Sequence, residues 1–413
     1  MIREHYPRKS HGKTTDITRR KILLVSPYAE GLDDPNMYPP LGLLYMASNM
    51  NTKFIPDILI MESPTFVQFD YEVYGISVHS VGVVKFVSNL IAEIHKKNPK
   101  ATFIVGGAGS GLIPRATYII HLTGEGEKFF DVDTKNLDNI NFPARYLVDS
   151  RFIVKKDGSH HTPQPSTTMI ATRGCPYSCA FCDRETHGRK LRKRSFGNIV
   201  REIKQLKLMY GIKWIRFVDD CITVDKKWFI NLCLELKDLD IKWTVLSRSD
   251  CVDLKLLKLM YRCGCREIFF GFESGSQKIL NLMRKHNTVQ QNIEVIKLCR
   301  EAKIISCAYM MFGFPGEDAE TVRETVSFLQ KAKPDKSRLT TFIPIPGSDV
   351  WNYPEKYGIK IRENYDDYWC FDKHDFACIY RDVSTSKMRE LRDKLMQFYV
   401  DAGYKKNWQK AAV

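Results

Sequence analysis

Three cysteines stand close together in the stretch TRGCPYSCAFCDRE, which begins at Thr172. Cys175, Cys179 and Cys182 follow a C-x3-C-x2-C spacing, and the next cysteine along the chain is Cys221. A structural zinc site normally takes four protein ligands, and its cysteines usually come as C-x2-C pairs. Iron–sulfur clusters also normally take four thiolates, so three on one loop would leave one iron of a 4Fe-4S cluster open to an exogenous ligand. The spacing therefore predicts an iron–sulfur centre with an open reaction site.

Composition indicates what class of protein carries these cysteines and in which compartment we expect it. The chain has 413 residues and 44% hydrophobic residues, which is typical of two or three globular domains with buried cores. No run of 18 or more apolar residues occurs, and the N-terminus is too polar for a signal peptide, so we expect a cytoplasmic protein without a membrane segment. The 12 cysteines are scattered along the chain, which favours reduced thiols over a disulfide framework.

The chain is basic, with a formal net charge of +15 and a pI of about 9.1. Such a charge indicates acidic partners, among which nucleic acid is the commonest. Part of the excess lies in the run GRKLRKR at 188–194, directly after the cysteine loop. A charge run of this kind is usually a solvated surface, and contact with phosphate is the alternative.

The elements that must position the cysteines alternate between strands and helices. After a basic tail over residues 1–20, residues 21–150 predict a doubly wound, Rossmann-like α/β domain. In such a sheet ligands bind beyond the C-terminal strand edge, where Gly107, Gly109 and Gly111 would let a large ligand approach the backbone. Tight turns are the other explanation of these glycines.

A linker over 151–168 leads to a second βα series over 169–350, whose six strands predict a partial or full parallel barrel. The functional groups of a barrel gather on the loops that follow the strands, and Cys175 comes just after the first of them. The remaining segment, 351–413, predicts a C-terminal cap that ends in an amphipathic helix.

C-x3-C-x2-C after the first strand of a βα barrel resembles the radical S-adenosylmethionine superfamily. The resemblance implies that the open iron chelates S-adenosylmethionine and that one electron cleaves it to a 5′-deoxyadenosyl radical, which abstracts a substrate hydrogen. An electron donor such as flavodoxin or ferredoxin is implied as a partner. In this arrangement the cofactors carry the chemistry, while the protein orients them.

The resemblance also assigns cofactor contacts at the ends of successive strands. Phe181 matches an aromatic position that packs the adenine, and Asp219 and Asp220 in VDD match the region that contacts the amino group. Ser247 and Arg248 in LSRSD match a carboxylate and ribose clamp, because the Arg fork can donate two bonds to a carboxylate. In GFESGS, Glu273 matches a ribose or amino-group contact, with Ser274 beside it. Helix caps or surface ion pairs are the alternative for the acids.

The N-terminal half resembles the cobalamin-binding domain that precedes the radical barrel in one subgroup, through YPPLGLLYMAS, YGISVHS, FIVGGAGSG and LTGEGE. The resemblance implies cobalamin as a third cofactor and methyl transfer to an unactivated carbon as the reaction. A radical rearrangement is the alternative, as is modification of a nucleic acid or nucleotide with the N-terminal domain as a recognition module.

Some residues in the same regions are predicted to be structural. Cys221 follows the acid pair, where it could face substrate, donate hydrogen or pack, and packing is the expectation for a free cysteine. Large aromatics of the C-terminal segment could close over substrate but are expected to pack, as is His374: Tyr365, Tyr368, Trp369 and Phe371.

Overall fold

The computed structural model describes residues 19–28, 39–50, 54–66, 68–154, 165–183, 185–364 and 376–404. Several predictions concern residues outside these ranges. They are the basic tail up to residue 18, the middle of the linker at 155–164, and the aromatic residues and His374 of the C-terminal segment.

The first sheet is parallel and has five strands in the order β2-β1-β3-β4-β5. Its elements are β1 (Arg20–Ser26), α1 (Leu41–Asn49), β2 (Phe54–Ile60), β3 (Val73–Ser77), α2 (Val84–Lys97), β4 (Thr102–Gly106) and β5 (Ile119–His121). The strand order reverses between β1 and β3, and ligands of open α/β sheets bind at such a switch point.

Alternation along the strands places helices on both faces of this sheet. Leu23 and Val25 of β1 pack in one core with α2, whereas Ile22 and Leu24 pack on the opposite face with α1. The period of two in a strand sends neighbouring side chains to opposite faces, so a continuous apolar run is needed when both faces are covered. The doubly wound arrangement predicted from the sequence is thereby confirmed.

The second sheet is also parallel and has six strands in the order β13-β12-β11-β10-β9-β6. The elements of this region are β6 (Ser166–Met169), β7 (Thr172–Arg173), β8 (Arg192–Lys193), α3 (Phe196–Tyr210), β9 (Trp214–Phe217), α4 (Lys226–Leu236), β10 (Lys242–Ser247), α5 (Leu254–Arg262), β11 (Cys265–Glu273), α6 (Gln277–Leu282), α7 (Val289–Glu301), β12 (Ile305–Phe312), α8 (Ala319–Ala332) and β13 (Lys336–Thr341). No pairing joins β13 to β6 among the described residues, so the sheet is a partial barrel, as predicted.

Side-chain caps start the outer helices at defined residues after the strands. Ser195, Asp225 and Asp253 accept hydrogen bonds from backbone amides in the first turns of α3, α4 and α5, and Thr288 and Asp318 form capping boxes at α7 and α8. Such caps satisfy amides that have no partner within the helix. The loops between strand ends and helix starts therefore form the functional edge of the barrel.

The chain continues through α9 (Asp349–Asn352), β14 (Ile359–Ile361), β15 (Cys378–Tyr380) and α10 (Thr385–Asp401). Helix α10 packs on the outside of the barrel, where the Tyr399 hydroxyl lies 2.9 Å from the Ser337 hydroxyl of β13. Within the described residues, no helix is both long enough and apolar enough to cross a membrane. The domain boundaries proposed from the sequence stay predictions.

Candidate functional site

The cysteine loop is closed at its base by a short antiparallel pair. Thr172 and Arg173 of β7 pair with Lys193 and Arg192 of β8, so the intervening loop projects from the C-terminal edge of the second sheet. Gly174 has φ of 92°, and a Cβ there would overlap the backbone carbonyl of Lys190. Only glycine meets both demands without strain, which explains the glycine that precedes the first cysteine.

The three thiols occupy different environments on this loop. Cys175 is half-buried, Cys179 is buried and Cys182 is exposed. Burial is the main reason that the pKa of Cys175 is raised. Among the described residues, no three His, Cys, Asp or Glu side chains are arranged to hold a single metal ion. A single zinc ion needs its sulfurs at about 2.3 Å from one centre, whereas a cluster takes each thiolate on a different iron. By number and type of donor, three thiolates on one loop suit three irons of a cluster.

Arg248 lies directly under the loop. Its guanidinium is 3.8 Å from the centre of the Tyr177 ring and donates two hydrogen bonds to Asp250, at 2.9 and 2.8 Å. Arg248 Nη1 also lies 4.0 Å from Cys179 Sγ. The guanidinium therefore lies next to the buried thiol of the second cysteine of the pattern. Arg248 was predicted to clamp a carboxylate, and its fork is here engaged by Asp250.

Glu273 and Lys285 form an ion pair beside the loop, with 3.2 Å between Lys285 Nζ and Glu273 Oε1. The Lys285 ammonium is 5.8 Å from the centre of the Phe181 ring. Burial alone would lower the pKa of Lys285, but the Glu273 carboxylate raises it. The backbone is left-handed at Glu273 and on both sides of Lys285, at Arg284 and His286. Such strain clusters where the structure must hold a side chain in a required position.

The two acids of VDD have different surroundings. Asp219 is buried, and its Oδ1 accepts hydrogen bonds from the Ala171 amide and from the amide and hydroxyl of Thr172. Burial raises the pKa of Asp219 to about 7. Asp220 instead faces His187, whose Nδ1 is 3.6 Å from its carboxylate. Asp219 thus anchors the base of the cysteine loop, and the cofactor contact predicted for either acid stays a prediction.

The predicted serines contact other hydroxyl groups. Ser247 Oγ lies 2.7 Å from the Thr223 hydroxyl, and Ser274 Oγ lies 3.4 Å from that of Thr325. Their predicted cofactor contacts also stay predictions. Cys221 is 2% exposed with its thiol 3.6 Å from the Thr223 hydroxyl, a packed position of the kind expected for a free cysteine.

A cavity of about 310 Å³ lies at the switch point of the first sheet. It is lined by the C-terminal ends of β1, β3 and β4, including Leu24, Ser77 and Gly106. Its other wall includes Thr186 and His187 of the cysteine loop, so the cavity connects the two predicted cofactor regions. Of the two glycines predicted to contact a cofactor, Gly107 lines this cavity and has a φ of 107°. Gly109 instead packs against the Ser80 carbonyl.

Buried ion pairs join the first sheet to the cysteine loop. Arg173 donates to Glu125 at 3.0 Å and to Glu127 at 2.6 Å, and Arg192 donates to Glu125 at 2.7 Å. Burial alone would raise the pKa of Glu125. Hydrogen bonds from Arg192, Thr134 and Arg173 instead lower this pKa to about 2. The GEGE segment after β5 is therefore bonded to both strands at the base of the loop.

Several of these groups were missed from the sequence. Lys285 lies in the helix-end stretch MRKHN, which carries no motif, and the Glu125 and Glu127 pairs join residues nearly 50 positions apart. The only sequence features that indicated these ion pairs were the two acids of GEGE and Arg173, two residues before the first cysteine of the pattern. The basic run is also partly internal, because Arg194 is buried and binds Glu202 at 2.6 Å.

Residues 169–329 match the family model described as the Radical SAM superfamily. The chain is 29% identical to "Uncharacterized methyltransferase PH0819" of Pyrococcus horikoshii, over 92% of each chain. It is similar in fold to the radical S-adenosylmethionine methyltransferase TsrM of Kitasatospora setae, solved with cobalamin and a 4Fe-4S cluster, at a TM-score of 0.67 and 16% identity over 92% of this chain and 91% of that one. The enzyme OxsB with aqua-cobalamin and S-adenosylmethionine has a TM-score of 0.59 at 21% identity, over 83% of this chain and 55% of that one.

Proposed function

Because residues 169–329 form a radical S-adenosylmethionine domain, we propose that this chain is a cobalamin-dependent radical enzyme that transfers a methyl group to an unactivated carbon. The observation that carries the proposal is the cavity at the switch point of the first sheet, which reaches the cysteine loop of the second. A methyl carrier in one domain must be adjacent to the radical source in the other, because substrate has to meet both.

The thiols of Cys175, Cys179 and Cys182 would hold the 4Fe-4S cluster. When bound, the cluster and S-adenosylmethionine supply a 5′-deoxyadenosyl radical, and cobalamin supplies a methyl carrier. Phe181 on the loop and Glu273 beside it both lie near Lys285, where they can contact the adenosine moiety. Arg173 and Arg192 hold the cavity wall against the loop through Glu125.

Enzymes with this domain require a reductant, and we propose flavodoxin or ferredoxin as the electron donor. Nucleic-acid modification, predicted from the basic charge, is the weaker candidate. Arg194 of the basic run is buried and occupied by Glu202, which leaves less of the run for phosphate. The cytoplasmic location stays a prediction.

The cluster assignment is tested by anaerobic reconstitution followed by iron and sulfide analysis. Cys175→Ala, Cys179→Ala and Cys182→Ala should each prevent assembly of the cluster and reductive cleavage of S-adenosylmethionine. Cys251→Ser is the matched control, because Cys251 lies near the loop but outside the C-x3-C-x2-C pattern, with its thiol 3.1 Å from the Tyr177 hydroxyl. A Cys-to-Ala variant that still cleaves S-adenosylmethionine reductively would overturn the assignment.

The corrinoid assignment is tested by adding hydroxocobalamin to the reconstituted protein, removing excess by gel filtration and recording the visible spectrum. We expect about one equivalent of corrinoid on the wild type, since a single switch-point site is proposed. Gly42 lines the cavity, and no atom lies within 4 Å of the position that a Cβ would take there. Gly42→Leu should therefore place its side chain in the cavity and lower the amount of corrinoid retained.

Gly197→Leu is the control for this experiment, because Gly197 also lies in the first turn of a helix with no atom within 4 Å of a Cβ, but does not line the cavity. Cluster absorbance without corrinoid on the wild type would reject cobalamin and leave the first domain as a recognition module. Equal corrinoid on the Gly42→Leu variant and the wild type would place the cofactor elsewhere.

A further inference from the structure

Two cysteines outside the C-x3-C-x2-C pattern lie on neighbouring loops at the functional edge of the barrel. Strand β9 ends at Phe217 and β10 at Ser247, and Cys221 and Cys251 each follow four residues later. The two strands pair with each other in the second sheet, and paired strands are about 4.8 Å apart. A hydroxyl contact also joins the first of these loops to the end of β10, because Thr223 Oγ1 lies 2.7 Å from Ser247 Oγ. The topology therefore carries both thiols to the same place.

The two thiols are hydrogen-bonded to each other. This hydrogen bond is the largest influence on the pKa of each thiol, raising that of Cys221 well above its usual value and lowering that of Cys251 to about 7. The Tyr177 hydroxyl, 3.1 Å from Cys251 Sγ, and the Arg248 guanidinium also lower the pKa of Cys251. Burial and the Asp250 carboxylate act in the opposite direction. Cys251 is therefore the member of the pair that ionises first, and Cys221 is the donor of the hydrogen bond.

Exposure divides the roles of the two thiols in the same way. Cys251 is half-buried, whereas Cys221 is 2% exposed. A thiolate is the nucleophilic form of cysteine, and redox-active cysteines combine a lowered pKa, access to solvent and a second thiol that resolves the first product. Cys251 and Cys221 together meet these three conditions. Other cysteines of the barrel and the C-terminal segment do not, because burial raises their pKa: Cys233, Cys263, Cys265, Cys299, Cys307 and Cys378.

We infer that Cys251 and Cys221 form a redox-active dithiol that exchanges with small-molecule disulfides such as oxidised glutathione. In the first step the Cys251 thiolate attacks a sulfur of oxidised glutathione, which forms a mixed disulfide on Cys251 and releases one glutathione thiolate. In the second step the Cys221 thiol gives its proton to that thiolate and attacks the Cys251 sulfur. The second glutathione leaves as a thiolate and takes up the proton that Cys251 lost to solvent. The two protein thiols are thus oxidised to one disulfide, and oxidised glutathione is reduced to two molecules of glutathione.

The oxidation state of this pair is linked to the cysteine loop. Tyr177 lies on the loop between Cys175 and Cys179, and its hydroxyl is hydrogen-bonded to the Cys251 sulfur. A disulfide sulfur carries neither a negative charge nor a proton, so oxidation weakens this contact. The inference does not rest on the proposed function, because the exchange needs neither S-adenosylmethionine nor a corrinoid.

Simple packing is the competing explanation, because free cysteine is among the most buried residue types and behaves as a small hydrophobic side chain. The two explanations predict different reactivity. A packed thiol is inert toward alkylating agents, whereas an ionised and accessible thiol reacts fast. Cys233 of α4 provides the comparison within the same protein, since it is buried and burial raises the pKa of its thiol.

The test uses the reconstituted protein at pH 7 under anaerobic conditions, after the reductant has been removed by gel filtration. Oxidised glutathione is added, free thiols are blocked with iodoacetamide, and tryptic peptides are identified by mass spectrometry. The relevant cysteines lie on separate peptides: FVDDCITVDK (217–226), SDCVDLK (249–255) and, for the cysteine loop, GCPYSCAFCDR (174–184). We expect a disulfide between the first two peptides and none to the third. Without oxidant, iodoacetamide should label Cys251 at least about tenfold faster than Cys233.

In Cys221→Ser the second step is lost, so Cys251 should keep one glutathione as a mixed disulfide. Cys233→Ser is the matched control and should form the disulfide between Cys221 and Cys251 as the wild type does. Labelling of Cys251 no faster than that of Cys233, or absence of the linked peptide with excess oxidised glutathione, would overturn the inference. Both readouts come from the wild type, so they hold even if a variant fails to fold. Failure of the cluster to assemble would appear as alkylated cysteines on the loop peptide, which separates failure of the proposed function from failure of this inference.

Discussion

Replacing Arg173, which forms two buried ion pairs, should lower the free energy of unfolding. Its guanidinium is 3.0 Å from Glu125 and 2.6 Å from Glu127, and the three side chains are each 6% exposed or less. In Arg173→Met, Glu125 keeps Arg192 at 2.7 Å, but Glu127 loses the guanidinium that it binds. Removing one partner of a buried pair costs about 3–5 kcal/mol, because an uncompensated charge stays inside the protein.

This loss is measured by urea unfolding of the cluster-free protein at pH 7, followed by circular dichroism. The expected result is a free energy of unfolding in water about 3–5 kcal/mol below that of the wild type, with an unchanged dependence on urea concentration. The double variant Arg173→Met with Glu127→Leu should recover most of the stability, since an apolar pair can replace a buried ion pair at little cost.

An exposed ion pair provides the control for this measurement. Arg151 binds Glu62 at 2.7 Å with the two side chains 62% and 41% exposed, so Arg151→Met should cost about 1 kcal/mol or less. If Arg173→Met costs no more than this control, or if the double variant is no more stable than the single one, the buried pairs do not hold the first sheet to the cysteine loop.

Three further predictions concern the same framework. Gly174→Ala should lower the iron content after reconstitution, because the added Cβ would overlap the Lys190 carbonyl. Gly188→Ala is the control. Gly188 also has a positive φ, of 71°, but no atom lies within 4 Å of a Cβ there, so this variant should retain most of the iron. Asp219→Ala should also lower the iron content, while Asp219→Asn keeps an oxygen acceptor for Thr172 and should retain the cluster. Burial raises the pKa of Glu317 to about 8, so the folded state holds this proton more tightly than the unfolded chain does. The stabilisation from the protonated Glu317 side chain is therefore full below about pH 4 and declines as the pH rises toward 8. In Glu317→Gln, the melting temperature should depend less on pH across this window.

The cysteine pattern and the alternating elements were predictable because both depend on residues close together in sequence. Three thiols within eight positions must share a loop, and the strand and helix periods are visible within a dozen residues. The order of βα units also placed Cys175, Asp219, Ser247 and Glu273 at or just after the C-terminal ends of successive strands of one parallel sheet, as the structure shows. Domain boundaries and individual cofactor contacts stay predictions.

The partners of individual side chains were not predictable in the same way. Asp219 has the sequence context of a cofactor ligand, but its carboxylate accepts three bonds from Ala171 and Thr172. Lys285 has no motif, yet the left-handed residues beside it direct its ammonium to Glu273. Each outcome depends on a rotamer and on a neighbour from a distant strand, neither of which is encoded in local spacing.

The sequence by itself determined the chemistry that is available: three thiolates on one loop, two parallel α/β layers and a glycine where the loop turns. Only the tertiary structure decided how these parts relate. It brought Arg173 to Glu125 and Glu127, opened a cavity between the first sheet and the cysteine loop, and placed Lys285 beside Glu273. The physical reason is that secondary structure follows from short-range periodicity, whereas ion pairs and cavities depend on how whole sheets curl and pack against each other.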